Sequence, residues 1–159
     1  VLLDVGVGID GGNVFYGNIG SNEHMANTVI GDNVNSASRL EGLTRIYHIP
    51  VIVSEYIKNE EEKISDRFIF FEIDTVQVKG KTEGKKIYFP VDNEEMESSL
   101  IEKYKVFEDG LKLYYAGDLK SARKILKNSE LEVTEVFLER MGNKSAPEGW
   151  NGIWTMTTK

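Results

Sequence analysis

The sequence predicts an α/β domain over residues 1–92, followed by an α-helical C-terminal extension. Three observations predict it. Short β-branched runs alternate with amphipathic helical stretches as far as Asp92. Beyond Asp92 the apolar residues recur at helical spacing only. Turn clusters such as Asp10-Gly11-Gly12-Asn13 and Gly117-Asp118 separate some of these stretches.

Taken in order, Val5 to Ile9 and Val14 to Tyr16 are extended runs separated by the turn cluster Asp10-Gly11-Gly12-Asn13. A polar loop from Gly17 to Ala26 leads to a short strand at Asn27 to Ile30. The spacing then predicts a helix from about Asn33 to Tyr47, with Asp32 or Asn33 as N-cap and Val34, Ala37, Leu40, Leu43 and Ile46 as its apolar stripe. Pro50 ends helical structure, and Val51-Ile52-Val53 is a short buried strand. Ser54 caps a charged helix over Glu55 to Lys63. Phe68 to Ile73 and Thr75 to Val78 are two strands, and a turn at Lys79–Gly84 leads into a strand from Lys86 to Val91.

Met96 to Ala116 is helical, Gly117-Asp118 breaks it, and helices follow around Leu119 to Leu126 and Glu130 to Met141. The pattern Phe107, Gly110-Leu111, Tyr114, Gly117-Asp118, Ala122, Leu126 resembles one tetratricopeptide-type hairpin. A single repeat cannot bury its own face, so residues 93–144 must dock on the α/β part or on another chain. Residues 145–159 carry Trp150 and Trp154, too apolar to remain in water, and are expected to pack back on the body.

Composition narrows the function classes. The chain has 159 residues, 40% of them apolar and 28% charged, which is ordinary for a folded domain. The net charge of −7 argues against a nucleic-acid binder, but a few local cations can still hold a nucleotide. Without cysteine there is no disulfide, thiol nucleophile or thiolate metal site, which suits a reducing cytoplasm. No apolar run is long enough to span a membrane. Val1-Leu2-Leu3-Asp4-Val5 lacks an initiator Met and has the character of an approach to a strand, so the chain is expected to be a piece of a longer protein.

The run from Thr28 to Leu40 is the most informative. It places Asn35 and Arg39 four residues apart, hence on one helical face, just after a Gly-Asp turn. Arg supplies a planar fork for phosphate oxygens, and Asn can orient a sugar or base. Spacing by itself favours a plainer role, with Arg39 paired to Glu41 or Glu60 on the surface.

The longer pattern reverses that preference. Gly6-Val7-Gly8-Ile9-Asp10-Gly11-Gly12, Gly17-Asn18-Ile19-Gly20-Ser21, Thr28–Leu40, Ile52-Val53-Ser54-Glu55 and Val78-Lys79-Gly80-Lys81 stand in order and at fitting intervals. Together they resemble the C-terminal half of a class III nucleotidyl cyclase catalytic domain, an α+β, ferredoxin-like fold. Such enzymes convert a nucleoside triphosphate to the 3′,5′-cyclic monophosphate and pyrophosphate.

The resemblance implies specific roles. Asn35 would orient the ribose and Arg39 would stabilise charge on the α-phosphate. Thr28, with Val29 beside it, stands where the family selects the purine, and a threonine there resembles the adenylate cyclase subgroup. Lys79 would reach the terminal phosphates, whereas Lys81 is expected to be merely exposed. Two divalent ions, Mg or Mn, are implied, with aspartate ligands upstream of the matched segment. Asp4, Asp10 and Asp32 do not match those positions, so no metal ligand is assigned. ATP is the implied substrate and a homodimer the implied partner arrangement, because the family's sites form between two catalytic domains. Full-length relatives often carry upstream sensor or membrane regions. The chain alone is expected not to turn over ATP.

Two readings compete: a guanylate cyclase, and a catalytically degenerate module for dimerisation or nucleotide sensing. Gly6-Val7-Gly8-Ile9-Asp10-Gly11 also satisfies the dinucleotide fingerprint, but the residues after it, Gly12 to Asn18, have no helical stripe. Gly80-Lys81-Thr82 is no P-loop, because Thr75 stands in place of the leading glycine. His24 and His48 are isolated and fit no metal-ligand spacing.

Overall fold

The structure, a computed structural model, describes residues 4–157. The expected approach to the first strand therefore lies partly outside the described residues. Twelve elements follow in chain order: β1 (Val7–Ile9), β2 (Phe15–Gly20), β3 (Met25–Ile30), α1 (Asp32–Tyr47), β4 (Val51–Ser54) and α2 (Glu55–Glu62), then β5 (Phe68–Val78), β6 (Lys85–Asp92), α3 (Ser98–Ala116), α4 (Leu119–Leu126), α5 (Glu132–Met141) and β7 (Trp154–Met156). The mixed α/β architecture with a helical C-terminal part is as the sequence predicts.

Five strands form one sheet in the order β1-β4-β6-β5-β7. β1 pairs parallel with β4, and β6 pairs antiparallel with both β4 and β5. At the far edge β7 pairs parallel with β5, Val76 to Val78 facing Trp154 to Met156. β2 and β3 form a separate antiparallel hairpin, closed by reciprocal bonds between Ser21 and His24. Every residue of β3 is exposed, so this hairpin stands away from the core.

α1 crosses β1 at close range. A Cβ on Gly8 would lie 2.3 Å from the Glu41 amide nitrogen and 2.5 Å from the Ala37 carbonyl oxygen. Only glycine admits that approach. The helix buries Leu40, Leu43, Thr44 and Tyr47. Ile46, placed in the apolar stripe by periodicity, is instead exposed, because the buried face rotates toward Thr44 and Tyr47. The N-cap expectation also changes. The cap is Gly31, with φ 155° and no side-chain bond, and Asn33 turns its amide to the Asn13 carbonyl at 3.0 Å. Ser54 caps α2 as expected, accepting from the Ile57 amide.

β5 is one strand where the sequence predicts two. Its register with β6 shifts between Glu72 and Asp74, a bulge that absorbs the polar residue without ending the pairing. Asp74 accepts the Thr75 amide at 2.8 Å, so the bulge is tied locally.

The helical part docks on the sheet. Tyr104 of α3 stacks on Phe71 at 5.1 Å between ring centroids and meets Phe89 at 5.2 Å. Phe137 of α5 lies 5.5 Å from Phe107 and 5.1 Å from Tyr114, both edge-on. One buried cluster runs from Leu40 and Leu43 on α1 through Phe71 and Ile73 to Phe107, Phe137 and Met141. The tail packs back as predicted: Trp150 donates its indole N–H to the Tyr114 carbonyl at 2.8 Å.

Candidate functional site

The first turns of α1 start directly after β3, because the glycine at 31 turns the chain where a side chain would be strained. The Val34 and Asn35 amides return to the Gly31 carbonyl at 3.1 and 3.3 Å. This sends Asn35 and Arg39 outward from one face, and both are exposed.

The plainer role for Arg39 does not hold. Glu41 is taken by Arg45 at 2.6 Å and Glu60 by Lys63 at 2.6 Å. Among the described residues Arg39 has neither an ion-pair partner nor a side-chain hydrogen bond. Local i,i+4 and i,i+3 geometry explains this, since each carboxylate finds a cation on its own helix face first.

Arg39 lines a cleft of about 450 Å³, together with Asp32 and Ser36 from α1. The opposite walls are the start of α2, strand β5 at Val76 and Val78, the Lys81–Ile87 stretch, and Met156 of β7. Lys81, expected to be merely exposed, is part of this lining. Its amide donates to the Val78 carbonyl at 2.9 Å, closing the turn that carries Lys79. Lys79 is exposed and lies outside the cleft lining. Fold topology thus brings Arg39 and Lys81 to one cleft although forty-two residues separate them.

Thr28 and Val29 are placed differently. They sit exposed on β3, opposite Gly17 and Tyr16 of β2, and do not line the cleft; nor does Asn35. These three are joined to Arg39 through the β3–α1 connection but face solvent.

The cleft is electrostatically mixed, with Asp10, Asp32, Glu55 and Glu83 against Arg39, Lys81, Lys85 and Lys86. Lys86 is held by Glu72 at 3.0 Å, which leaves Arg39, Lys81 and Lys85 without an ion pair among the described residues. Among the described residues no three or more His, Asp or Glu side chains cluster to hold a metal ion. What the free cations of the cleft can do is bind an anionic ligand and stabilise its charge.

Sequence reasoning missed Met156 in the cleft wall and a buried network around Asp74. The one available signal was an aspartate inside the apolar strand Phe68–Val78, since a buried carboxylate must find a partner. No helix is long and apolar enough to cross a membrane among the described residues.

Known proteins resemble part of this chain. Adenylate cyclase of Anabaena cylindrica is 40% identical over 89 residues, covering 54% of this chain and 17% of that protein. The terminal-differentiation specific adenylate cyclase of Dictyostelium discoideum is 33% identical over 115 residues, covering 70% of this chain and 5% of that protein. The chain thus spans only a small part of the length of these relatives. A solved bacterial light-regulated adenylyl cyclase is similar at 28% identity and a TM-score of 0.44, over 58% of this chain and 24% of that one. At that TM-score the assignment rests on sequence, and there the match is direct. Residues 2–92, more than half of the chain, match the adenylate and guanylate cyclase catalytic domain, and the chain belongs to that family.

Proposed function

We propose that this chain supplies one side of an adenylate cyclase active site, converting ATP to 3′,5′-cyclic AMP and pyrophosphate. The ribose 3′-hydroxyl attacks the α-phosphate and pyrophosphate leaves. Arg39 stabilises charge on the α-phosphate, Asn35 orients the ribose, Thr28 and Val29 meet the purine, and Lys79 receives the terminal phosphates. The observation that carries the reading is Arg39 itself: an exposed guanidinium on a cleft rim, with its neighbouring carboxylates engaged elsewhere. A guanidinium without an internal partner is available for phosphate oxygens.

The arrangement also supports a second catalytic domain as partner. Thr28, Val29 and Asn35 face solvent and need an opposing surface to enclose a nucleotide. The hairpin beside them exposes Phe15, Tyr16, Met25 and Ile30, with Tyr16 at 69%, an apolar face suited to a homodimer contact. The two divalent ions belong to the same proposal, held by side chains other than the described ones, and the 159 residues alone do not turn over ATP.

The test is product formation from ATP and from GTP with Mn²⁺ by the full-length protein, beside its Arg39→Ala variant. Cyclic AMP that collapses in the variant is the expected result. Cyclic GMP as the main product would reassign the purine, and no product from a folded dimer would favour the degenerate module.

A further inference from the structure

A charged knot at the centre of the fold has no part in the chemistry above. Asp74 is completely buried on β5. Its Oδ2 accepts from the Tyr47 hydroxyl at 2.5 Å and from Arg140 Nη1 at 2.6 Å. Arg140 Nη2 donates to the Tyr47 oxygen at 2.8 Å, and its guanidinium lies 4.4 Å from the Trp154 ring centroid. Three elements, α1, β5 and α5, therefore meet at one carboxylate, and β7 joins them through Trp154 beside the Arg140 guanidinium. Burial raises the Asp74 carboxyl above its ordinary range, with Arg140 pulling the other way. A planar fork is needed to satisfy Asp74 and Tyr47 at once, which a lysine ammonium cannot do in the same geometry.

Both arms of the candidate site leave from this knot. Tyr47 ends α1, whose opening turns carry Asn35 and Arg39. Asp74 precedes Val76–Val78, the segment that pairs with β7 and runs straight into Lys79. The far end of the same turn is touched as well, since a Cβ on Gly84 would lie 2.8 Å from Ile153 Cδ1. Met156 then completes the cleft wall that includes Arg39. The C-terminal segment thus contacts the lysine turn at both of its ends, Val78 and Gly84.

We propose that Arg140 and the Ile153–Met156 segment are positioning elements of the site, holding the Lys79–Gly84 turn in register with α1 so that its ammonium groups and Arg39 face one polyphosphate. This rests on the function proposed above. Flexible lysines on a glycine-containing turn lose little binding energy only if the turn is already held in place. Arg140 and the Ile153–Met156 segment supply that restraint from outside the family-matched segment 2–92, acting on Tyr47, Asp74 and Val76–Val78 within it.

The test compares full-length wild type with Arg140→Lys and Ile153→Ala. The first keeps a positive charge beside Asp74 and loses the fork; the second leaves the knot residues unchanged and trims the side chain that lies against Gly84. The expected result is a rise of about 10-fold in KM for ATP and in the inhibition constant of pyrophosphate, within the ~10²-fold that a 1 Å misplacement can cost. Turnover changes less than KM, and amide hydrogen exchange quickens over residues 76–85 while α3 is unchanged. Folded variants with wild-type KM and pyrophosphate inhibition, or exchange altered only in α5 and β7, would overturn the proposal. If Arg140→Lys does not fold, Ile153→Ala decides by the same criteria. If the wild type makes no cyclic nucleotide, the function reading fails on its own. Exchange over residues 76–85 in wild type and Ile153→Ala, with and without pyrophosphate, then still decides the positioning role.

Discussion

Arg45 donates to Glu41 at 2.6 Å, one turn apart on α1, and so occupies the carboxylate that lies nearest in sequence to Arg39. The two arginines of this helix consequently differ in kind. Arg45 has an internal partner in its last turn, and Arg39 points at solvent with none among the described residues. The pair is exposed, so it adds little stability, but it removes the simplest structural explanation for Arg39.

Arg39→Ala is therefore expected to leave folding almost untouched, within the roughly ±0.5 kcal/mol usual for surface changes. In the full-length protein the same change should lower cyclase turnover by about 10²–10³. Arg39→Lys should restore little of it, because a point charge does not reproduce a planar fork. Thermal melting beside initial-rate kinetics separates the two effects. A melting temperature that falls in step with activity would make Arg39 structural.

Gly8→Ala is expected to destabilise strongly. The added Cβ meets backbone atoms of α1 at 2.3 and 2.5 Å, which cannot swing aside as a side chain can. Overpacking of this kind typically costs about 1–3 kcal/mol, and backbone displacement places it at the upper end. Urea unfolding measures the loss. Since the clash is with Ala37 and Glu41, on either side of Arg39, whatever variant remains folded should also lose activity.

Phe137→Ala tests whether the helical part and the sheet fold as one unit. Phe137 is fully buried and touches Tyr47 of α1 as well as Phe107 and Tyr114 of α3. Its truncation should cost about 3–5 kcal/mol. Denaturation followed by far-UV and aromatic signals should show one transition moved to lower denaturant. Two separated transitions, with the earlier one confined to the helices, would show the extension to be an independent unit.

Asp92 gives a pH dependence with a definite sign. Arg67 holds it through Nε at 2.8 Å and Nη2 at 2.7 Å, and these bonds keep its carboxyl below the ordinary carboxylate range. A depressed folded pKa means that the stabilisation is present above the unfolded value of about 3.9 and is lost as pH falls through the lower folded value. The melting temperature of wild type should therefore fall more steeply than that of Asp92→Asn on acidification from about pH 6 to about pH 3. Parallel curves would show that the pair contributes nothing.

Much of the fold was legible because it is local. The apolar period of α1, the serine cap of α2 and the Gly117-Asp118 break depend on residues within a few positions of one another. Each forms as the sequence predicts: α1 spans Asp32–Tyr47, Ser54 accepts from Ile57, and Asp118 accepts from Ser121 at the start of α4. What misled was information that depends on packing. Gly31 and not Asp32 or Asn33 caps α1, because Asn33 is drawn to Asn13, twenty residues away. β5 stays continuous through Asp74 because Arg140, sixty-six residues later, neutralises a side chain that would otherwise end a buried strand.

The sequence by itself determined the family, the helix that presents Asn35 and Arg39, and the glycine-containing turn that carries Lys79 and Lys81. Those features are written in residue types and short spacings, which local backbone preferences translate directly. Only the tertiary structure decided that Glu41 and Glu60 leave Arg39 alone, that Lys81 shares its cleft, and that the last strand pairs with Val76–Val78 just before the lysine turn. These are contacts between residues far apart in the chain. They arise because burying Asp74 demands a cation, and the cation that reaches it lies on the helix leading into the C-terminal segment that carries Trp154 and Met156.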